Sequence, residues 1–301
     1  ANHRQRKTAL GPCDTVFRSP DADALISFAS NDYLGLANHP GLTEATKAGA
    51  DKWGVGAGAS HLVGGHALAH DQLERCLATY TGFPACLVFS TGYLANLAVP
   101  PALLGRGDVI FADKLNHASL VDAALLSRAT LVRYPHLDLA ALERQLRHAT
   151  TGRKMIVSDA VFSMDGDIAP LHALLELAER YDAWLLVDDA HGFGLLGPDG
   201  RGSLAELGLM SPRLILMATL GKAVGVAGAF VAASSTVVEW LIQKARPYIF
   251  TTASPPLLAE TVQRALELVQ TGSDRRASLT RNIERLRSAL HLQKFVLLPS
   301  R

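Results

Sequence analysis

Residues 183–192 read AWLLVDDAHG, and the apolar run Trp184–Val187 leads straight into Asp188, Asp189 and His191. A short, continuous apolar run bounded by polar and turn-forming residues reads as a strand buried on both faces. The same pattern recurs at Ala85–Phe89, Val109–Ala112, Leu131–Tyr134, Met155–Ser158, Leu214–Ala218 and Ala229–Ala232. Between several of these runs, apolar residues return at helical spacing. Leu73, Cys76, Leu77 and Tyr80 do so within Asp71–Thr81, as do Leu139, Leu142 and Leu146, and again Leu171, Leu174, Leu175 and Ala178. Buried strands alternating with amphipathic helices predict an α/β fold, a mostly parallel sheet covered on both faces. Ligands of such sheets lie beyond the carboxyl ends of the strands, so the polar residues there are the candidates for chemistry. After Pro255-Pro256 the pattern is helical over Leu257–Thr271 and Arg275–Leu292, with Gly272–Asp274 as a break. The terminal KFVLLPSR reads as the first strand of a further sheet, and a C-terminal segment that would pair with it is expected to be missing.

With 301 residues, 49% of them hydrophobic, the chain has ample apolar mass for one large domain or two. Aromatic residues make up only 6%, so the core must come from Ala, Leu and Val. Twenty-nine basic against 28 acidic residues leave a net charge of +1 and no dense basic face, which argues against nucleic-acid or anionic-membrane partners. The three cysteines, Cys13, Cys76 and Cys86, form no CxxC pair. They fit a reducing cytoplasm better than a disulfide scaffold or a thiolate metal site, and no metal is expected. Ala1–Pro12 lacks the apolar region of a signal peptide. Leu214–Ser234, LILMATLGKAVGVAGAFVAAS, is apolar enough to resemble a membrane span but carries Lys222 near its centre among glycines. A lysine at mid-bilayer is costly. The stretch reads instead as two buried strands joined by a glycine-rich loop that presents one lysine.

Two nucleotide motifs fail on context. Gly192–Gly197 spells GxGxxG, but Pro198-Asp-Gly-Arg-Gly202 follows, a run of turn formers where a dinucleotide site needs a helix. The GK pair at Gly221-Lys222 lacks the Walker glycine, since Leu216 occupies its place, and Ala223 replaces the following Ser or Thr. Lys222 itself is the unusual residue. A lysine in an apolar, glycine-bounded pocket loses proton affinity and becomes a nucleophile for carbonyl groups. Taken alone it could also snorkel from a strand end, and Asp188 and His191 alone could be a capping acid and a surface histidine.

Together, Lys222 and Asp188 point to pyridoxal phosphate, which needs a lysine for its aldehyde and an acid against its ring nitrogen. Phe89-Ser-Thr-Gly92-Tyr93-Leu-Ala-Asn96 offers a phosphate cradle, a strand followed by a Thr-Gly turn and a helix start. His117, in Asn116-His-Ala-Ser119, offers a flat neighbour for the ring.

Seven ordered motifs then match a known family. They are SFASNDYLGLANHP (Ser27–Pro40), GVGAGASHLVGG (Gly54–Gly65), FSTGYLAN (Phe89–Asn96), ADKLNHASLVDA (Ala112–Ala123), SDAVFSMDGDIAPL (Ser158–Leu171), LLVDDAHGFGLLGPDGRGS (Leu185–Ser203) and MATLGKAVGVAGAF (Met217–Phe230). The sequence resembles the α-oxoamine synthases, pyridoxal-phosphate enzymes of the aspartate-aminotransferase fold. The resemblance implies fold type I of the PLP-dependent transferases, with a mostly parallel seven-stranded sheet flanked by helices and a smaller, here incomplete, C-terminal domain. It divides the chain into an N-terminal segment (1–40), a large cofactor-binding domain (41–271) and the start of the small domain (272–301).

The resemblance further implies a role for each matched residue. Lys222 takes the cofactor aldehyde and later moves the Cα proton, Asp188 pairs with the ring nitrogen, and His191 and Ser163 lie near the phenolic oxygen. His117 stacks on the ring and touches substrate. Gly92 and Tyr93 hold the phosphate through backbone N–H groups, helped by Thr219. Thr252 reaches the phosphate of a partner subunit in a homodimer with shared sites. Asn31 faces the active site, and Arg4, with Arg6 as the alternative, holds the acyl substrate. An arginine for the amino-acid carboxylate is expected beyond Arg301. VDDAHG and FSMDGDIAPL match best the biotin-pathway branch, which condenses L-alanine with a pimeloyl thioester on coenzyme A or acyl-carrier protein. The glycine C-acetyltransferase, 5-aminolevulinate synthase and serine palmitoyltransferase branches are the alternatives. Where family members often carry GFGVSGA after the lysine, this chain carries AVGVAGA, a change of loop packing more than of chemistry.

Overall fold

The computed structural model describes residues 3, 5–20, 22–298 and 300. Strands β1 (Val16–Ser19) and β2 (Ala22–Ile26) form an antiparallel hairpin that the apolar pattern does not announce, because it is short and largely exposed. Helices α1 (Pro40–Trp53) and α2 (Leu68–Thr81) precede β3 (Ala85–Phe89) and α3 (Gly92–Leu103). Then β4 (Val109–Asp113), α4 (Ala118–Ser127), β5 (Thr130–Tyr134), α5 (Leu139–His148), β6 (Lys154–Asp159), α6 (Leu171–Arg180) and β7 (Ala183–Asp188) alternate. A short α7 (Ser203–Glu206) leads to β8 (Leu214–Thr219) and β9 (Ala229–Ala233). Four helices close the described chain: α8 (Ser235–Lys244), α9 (Arg246–Ile249), α10 (Pro256–Gln270) and α11 (Ser273–Ala289).

The main sheet has seven strands in the order β3-β9-β8-β7-β6-β4-β5, and β9 alone runs against the rest. The sheet is therefore seven-stranded and mostly parallel, as expected. The antiparallel pairing of β8 with β9 also resolves the apolar 214–234 stretch, which forms two core strands joined by the Lys222 loop. No helix among the described residues is long and apolar enough to cross a membrane.

Alternation along each strand divides the core between the two faces. Ile156, Leu185, Val187, Leu214 and Leu216 pack with Leu73, Leu142, Leu174 and Val262 of α2, α5, α6 and α10. Met155, Val157, Leu186, Ile215 and Met217 pack with Ala95, Val99, Leu120 and Leu241 of α3, α4 and α8. Each such leucine, taken out of water, contributes about 1.5–3 kcal/mol. The same alternation, carried to the strand ends, sends Asp159, Asp188 and Thr219 to the α3/α4 face. These residues lie inside the strands, beyond the last apolar residue where hydrophobicity alone would end them. Backbone ladder bonds are indifferent to side-chain polarity, so pairing continues through Asp159 opposite Asp188.

One expectation is corrected. The terminal KFVLLPSR forms no strand among its described residues, and Phe295 and Val296 stand exposed. An isolated extended segment has no neighbouring backbone to satisfy its N–H and C=O groups, so apolar composition alone does not make it a strand.

Candidate active site

A cavity of about 200 Å³ opens at the carboxyl ends of β6, β7 and β8. Gly92, Tyr93, His117, Ser163, Asp188, His191, Thr219 and Lys222 all line it, together with Asn96, Ser119, Asp159, Ala190 and Met217. Eight sequence-predicted residues, spread from position 92 to 222, thus meet in one space.

Asp188, buried at the end of β7, accepts hydrogen bonds from Asn96 Nδ2 at 2.7 Å and from the Ala190 N–H at 3.0 Å. Burial raises its proton affinity, while these donors and the charge of Lys222 work the other way. Asp159 lies beside it, and burial followed by repulsion from Asp188 raises its proton affinity in turn. Both oxygens of Asp188 are bonded, whereas Asp159 accepts only the His117 N–H, at 2.7 Å on one oxygen.

Asn96, on the second turn of α3, spends both amide protons, one on Asp188 and one on Ser119 Oγ at 2.8 Å. The Ser119 hydroxyl donates in turn to His117 Nδ1 at 2.7 Å, which fixes that imidazole as its Nε2–H tautomer. Thr91 caps α3 by accepting the Leu94 N–H, so the Gly92 and Tyr93 amides head a twelve-residue helix at the cavity wall. Such a helix end favours an anion.

Lys222 sits on the β8–β9 loop, where burial, against the pull of Asp188 and Asp159, lowers its proton affinity. Its Nζ lies 2.7 Å from His191 Nε2. The His191 Nδ1–H donates to the Tyr33 hydroxyl at 2.7 Å, and Tyr33 donates to Asn31 Oδ1 at 3.2 Å. Burial and the neighbouring Lys222 hold His191 neutral, its pKa pushed down to about 4. The loop can approach the Asn31–Ala37 segment because Gly225 has φ +75° and a side chain there would lie 2.6 Å from the Ala37 nitrogen. Thr219 braces the loop base, donating to the Gly228 carbonyl at 3.2 Å and accepting the Gly221 N–H.

The GxGxxG string has a packing role here. Asp189 accepts from the Ser203 hydroxyl at 2.6 Å and from its N–H at 2.8 Å. A Cβ on Gly192 or Gly202 would come within 2.3 Å of an Asp189 oxygen, so the glycines let the loop fold around that acid.

Two expected residues among those described are not in the cavity wall. Asn31 reaches it only through Tyr33 and His191. Thr252 is exposed and forms a bridge with Ser60. Arg4 lies outside the described residues, and its alternative Arg6 is exposed in the N-terminal segment. Asn96, Ser119, Asp159 and Tyr33 received no role from the sequence. Asp159 carried the same signal as Asp188, an acid closing an apolar run. Asn96 was a lone amide in an otherwise apolar helix.

A separate cluster, His61, His66 and His70, places ligand atoms within 4.8 Å of one another. His70 spends both nitrogens on the chain, accepting the Ala67 N–H and donating to the Ser254 carbonyl, and so acts as a brace. Burial and the neighbouring histidines hold His61 neutral, its pKa pushed down to about 4.

The cavity fits pyridoxal phosphate on its own chemistry. A lysine of lowered proton affinity and a buried carboxylate face one space beside a helix N-terminus. Asn96 Oδ1, buried and unpartnered, adds an acceptor within the cavity wall.

Comparison with known proteins identifies the family of the chain. The family model for aminotransferase class I and II matches residues 23–301. An 8-amino-7-oxononanoate synthase from Aromatoleum aromaticum is 60% identical over 301 residues, covering all of this chain and 78% of its own. The solved 8-amino-7-oxononanoate synthase of Francisella tularensis is 36% identical with a TM-score of 0.77, covering 90% of this chain and 78% of its own. A serine palmitoyltransferase from S. paucimobilis, solved with bound PLP–myriocin, is 31% identical with a TM-score of 0.85, covering 89% and 67%.

Proposed function

The chain belongs to the 8-amino-7-oxononanoate synthase family of PLP-dependent acyltransferases, within the class I and II aminotransferases, and from that premise we propose how its residues act. The substrates are L-alanine and a pimeloyl thioester, on coenzyme A or acyl-carrier protein. One C–C bond forms between alanine Cα and the thioester carbonyl, the thiol leaves, and the alanine carboxylate departs as CO₂. The reading rests on one observation above all, the Lys222 amine and the Asp188 carboxylate facing the same cavity.

Bound there, pyridoxal phosphate supplies an aldehyde for the amino acid and a ring that spreads the charge left when Cα loses its proton. The protein does the rest. Lys222, its proton affinity lowered by burial, would hold the aldehyde and move the Cα proton. Asp188 holds the proton on the ring nitrogen, and Asn96 fixes that carboxylate in place. His117, which lines the cavity, would form one wall for the ring. His191 and Ser163 serve the phenolic oxygen, the Gly92 and Tyr93 amides bind the phosphate, and Thr219 supports them. Asn31 orients the lysine through Tyr33 and His191, and Arg4 or Arg6 holds the acyl substrate. The large domain, 41–271, carries the cofactor-binding residues, the N-terminal segment, 1–40, adds Asn31, Tyr33 and the substrate arginine, and 272–301 begin the small domain.

The working unit on this reading is a cytoplasmic homodimer in which Thr252 serves the partner's phosphate. Exposed Val55, Leu62, Val63 and Phe250 support it, since Ser60 ties this apolar loop region to Thr252. The 60% identity to an 8-amino-7-oxononanoate synthase, against 31% to a serine palmitoyltransferase, favours alanine and a pimeloyl thioester over the sister substrates.

Borohydride reduction of the purified protein followed by peptide mass spectrometry tests the cofactor assignment, and the pyridoxyl group is expected on Lys222. Product identification after incubation with alanine, glycine or serine and a panel of acyl thioesters tests the substrates. Turnover of another pair in preference to alanine and pimeloyl thioester would overturn them.

A further inference from the structure

His136, just beyond β5, stands between two carboxylates. Its Nδ1 lies 2.9 Å from Asp113 Oδ1 and its Nε2 lies 2.8 Å from Asp167 Oδ2. Carboxylate oxygens only accept, so a ring bonded to both as ions must donate from both nitrogens and is an imidazolium. Burial opposes that charge, but the bonds to the two acids outweigh it, and the proton affinity of His136 is raised. The two acids belong to different parts of the fold. Asp113 ends β4 and is buried, and it also accepts the Leu115 and Leu137 N–H groups at 2.8 and 2.9 Å, so it is a fixed point of the scaffold. Asp167 lies on the loop between β6 and α6, in the segment that Val161 and Ile168 close by a bridge. That loop turns at Gly166, whose N–H bonds the Phe162 carbonyl, and it carries Ser163 into the cavity. The His136 ring also packs edge-on against Phe162, with centroids 4.5 Å apart.

We propose that His136 is a positioning residue, a latch that ties the Ser163 loop to the end of β4 and so fixes that hydroxyl at the reaction site. The proposal rests on the reading of the cavity as that site. His136 touches nothing in the cavity and acts only through Asp167 and Phe162. Without the latch, the loop loses its charged tether to the sheet and its turn opens more often.

Amide hydrogen exchange on the holoenzyme tests the tether directly. In His136→Ala the Phe162 and Gly166 amides are expected to exchange about tenfold faster or more, with strand β4 amides unchanged. In the same variant kcat falls about tenfold while KM for alanine stays within about twofold, as expected when a group at the reacting centre is misplaced. Asp167→Asn, a near-isosteric change on the more exposed side, should do the same. The double variant should be no worse than either single one, because both cut the same link. Unchanged loop exchange, additive losses in the double variant, or faster exchange at full kcat would each overturn the latch. If His136→Ala does not fold, Asp167→Asn alone carries the exchange and kinetic readouts. A fully active Lys222→Ala enzyme would instead remove the site reading, and loop exchange is independent of that result.

Discussion

Lys222 Nζ and His191 Nε2 stand 2.7 Å apart, and burial holds both groups toward their uncharged forms. The direction of this bond is set from a distance. Tyr33 takes the Nδ1–H of His191, so Nε2 must accept, and Lys222 must donate. A lone pair is thereby kept off the histidine side of the amine and left for the cavity.

Tyr33→Phe removes the acceptor for His191 Nδ1–H and frees the ring to exchange tautomers. We expect kcat to fall about tenfold, on the order of one lost hydrogen bond of about 1.4 kcal/mol. Cofactor content, read by absorbance, should be unchanged. Normal kcat in this variant would show that the tautomer is fixed without Tyr33.

Asp188→Asn replaces a charge with an amide that cannot hold a proton on the ring nitrogen. The expected loss in kcat is about a thousandfold or more, comparable with other lost charge-stabilising contacts. Asn96→Ala should cost about ten- to a hundredfold, the worth of a hydrogen bond to a charged group. Turnover near normal in Asp188→Asn would assign the ring nitrogen to another acid.

Glu74 provides a pH signature away from the site. It accepts the Val88 N–H at 2.9 Å, and burial pushes its pKa up to about 7 against the pull of that bond. The folded state then holds an extra proton from roughly pH 4.3 to pH 7, so stability falls as pH climbs through that window. Glu74→Gln keeps an acceptor oxygen for Val88 and removes the titration. Relative to the parent it should gain little near pH 5 and a plateau on the order of 3 kcal/mol above pH 8. Calorimetric melts at the two pH values decide it, and an equal difference at both would exclude Glu74 as the titrating group.

Mixing inactive Lys222→Ala with impaired Thr252→Ala tests the shared site. Hybrid dimers would contain one site with an intact lysine and an intact partner threonine, so activity should return toward a quarter of the parent's, roughly the statistical expectation for a twofold assembly. Demonstrated subunit exchange without any recovery would rule out Thr252 as the partner's phosphate ligand. A fully active monomer in sedimentation under assay conditions would rule out the dimer.

The residues alone determined a great deal. Apolar runs ending in Asp188 and Thr219 set the mostly parallel sheet, because strands buried on both faces leave no other composition. Lys222 was legible because a lysine among glycines and core residues has no bland explanation as comfortable as solvent. What tertiary structure decided were the relations across long sequence separations. Asp159 joined Asp188 because parallel register and side-chain alternation put both acids on one face. Tyr33 met His191, 158 residues away, only in the folded chain, and Gly225 let the lysine loop pack against Leu36 and Ala37. His136 found Asp167 because β4, β5 and β6 are neighbours. Hydrophobic periodicity records which face of an element is buried, but a hydrogen bond depends on where two elements meet. That is also why KFVLLPSR, apolar enough for a strand, is none among its described residues, since a strand is a property of a pair.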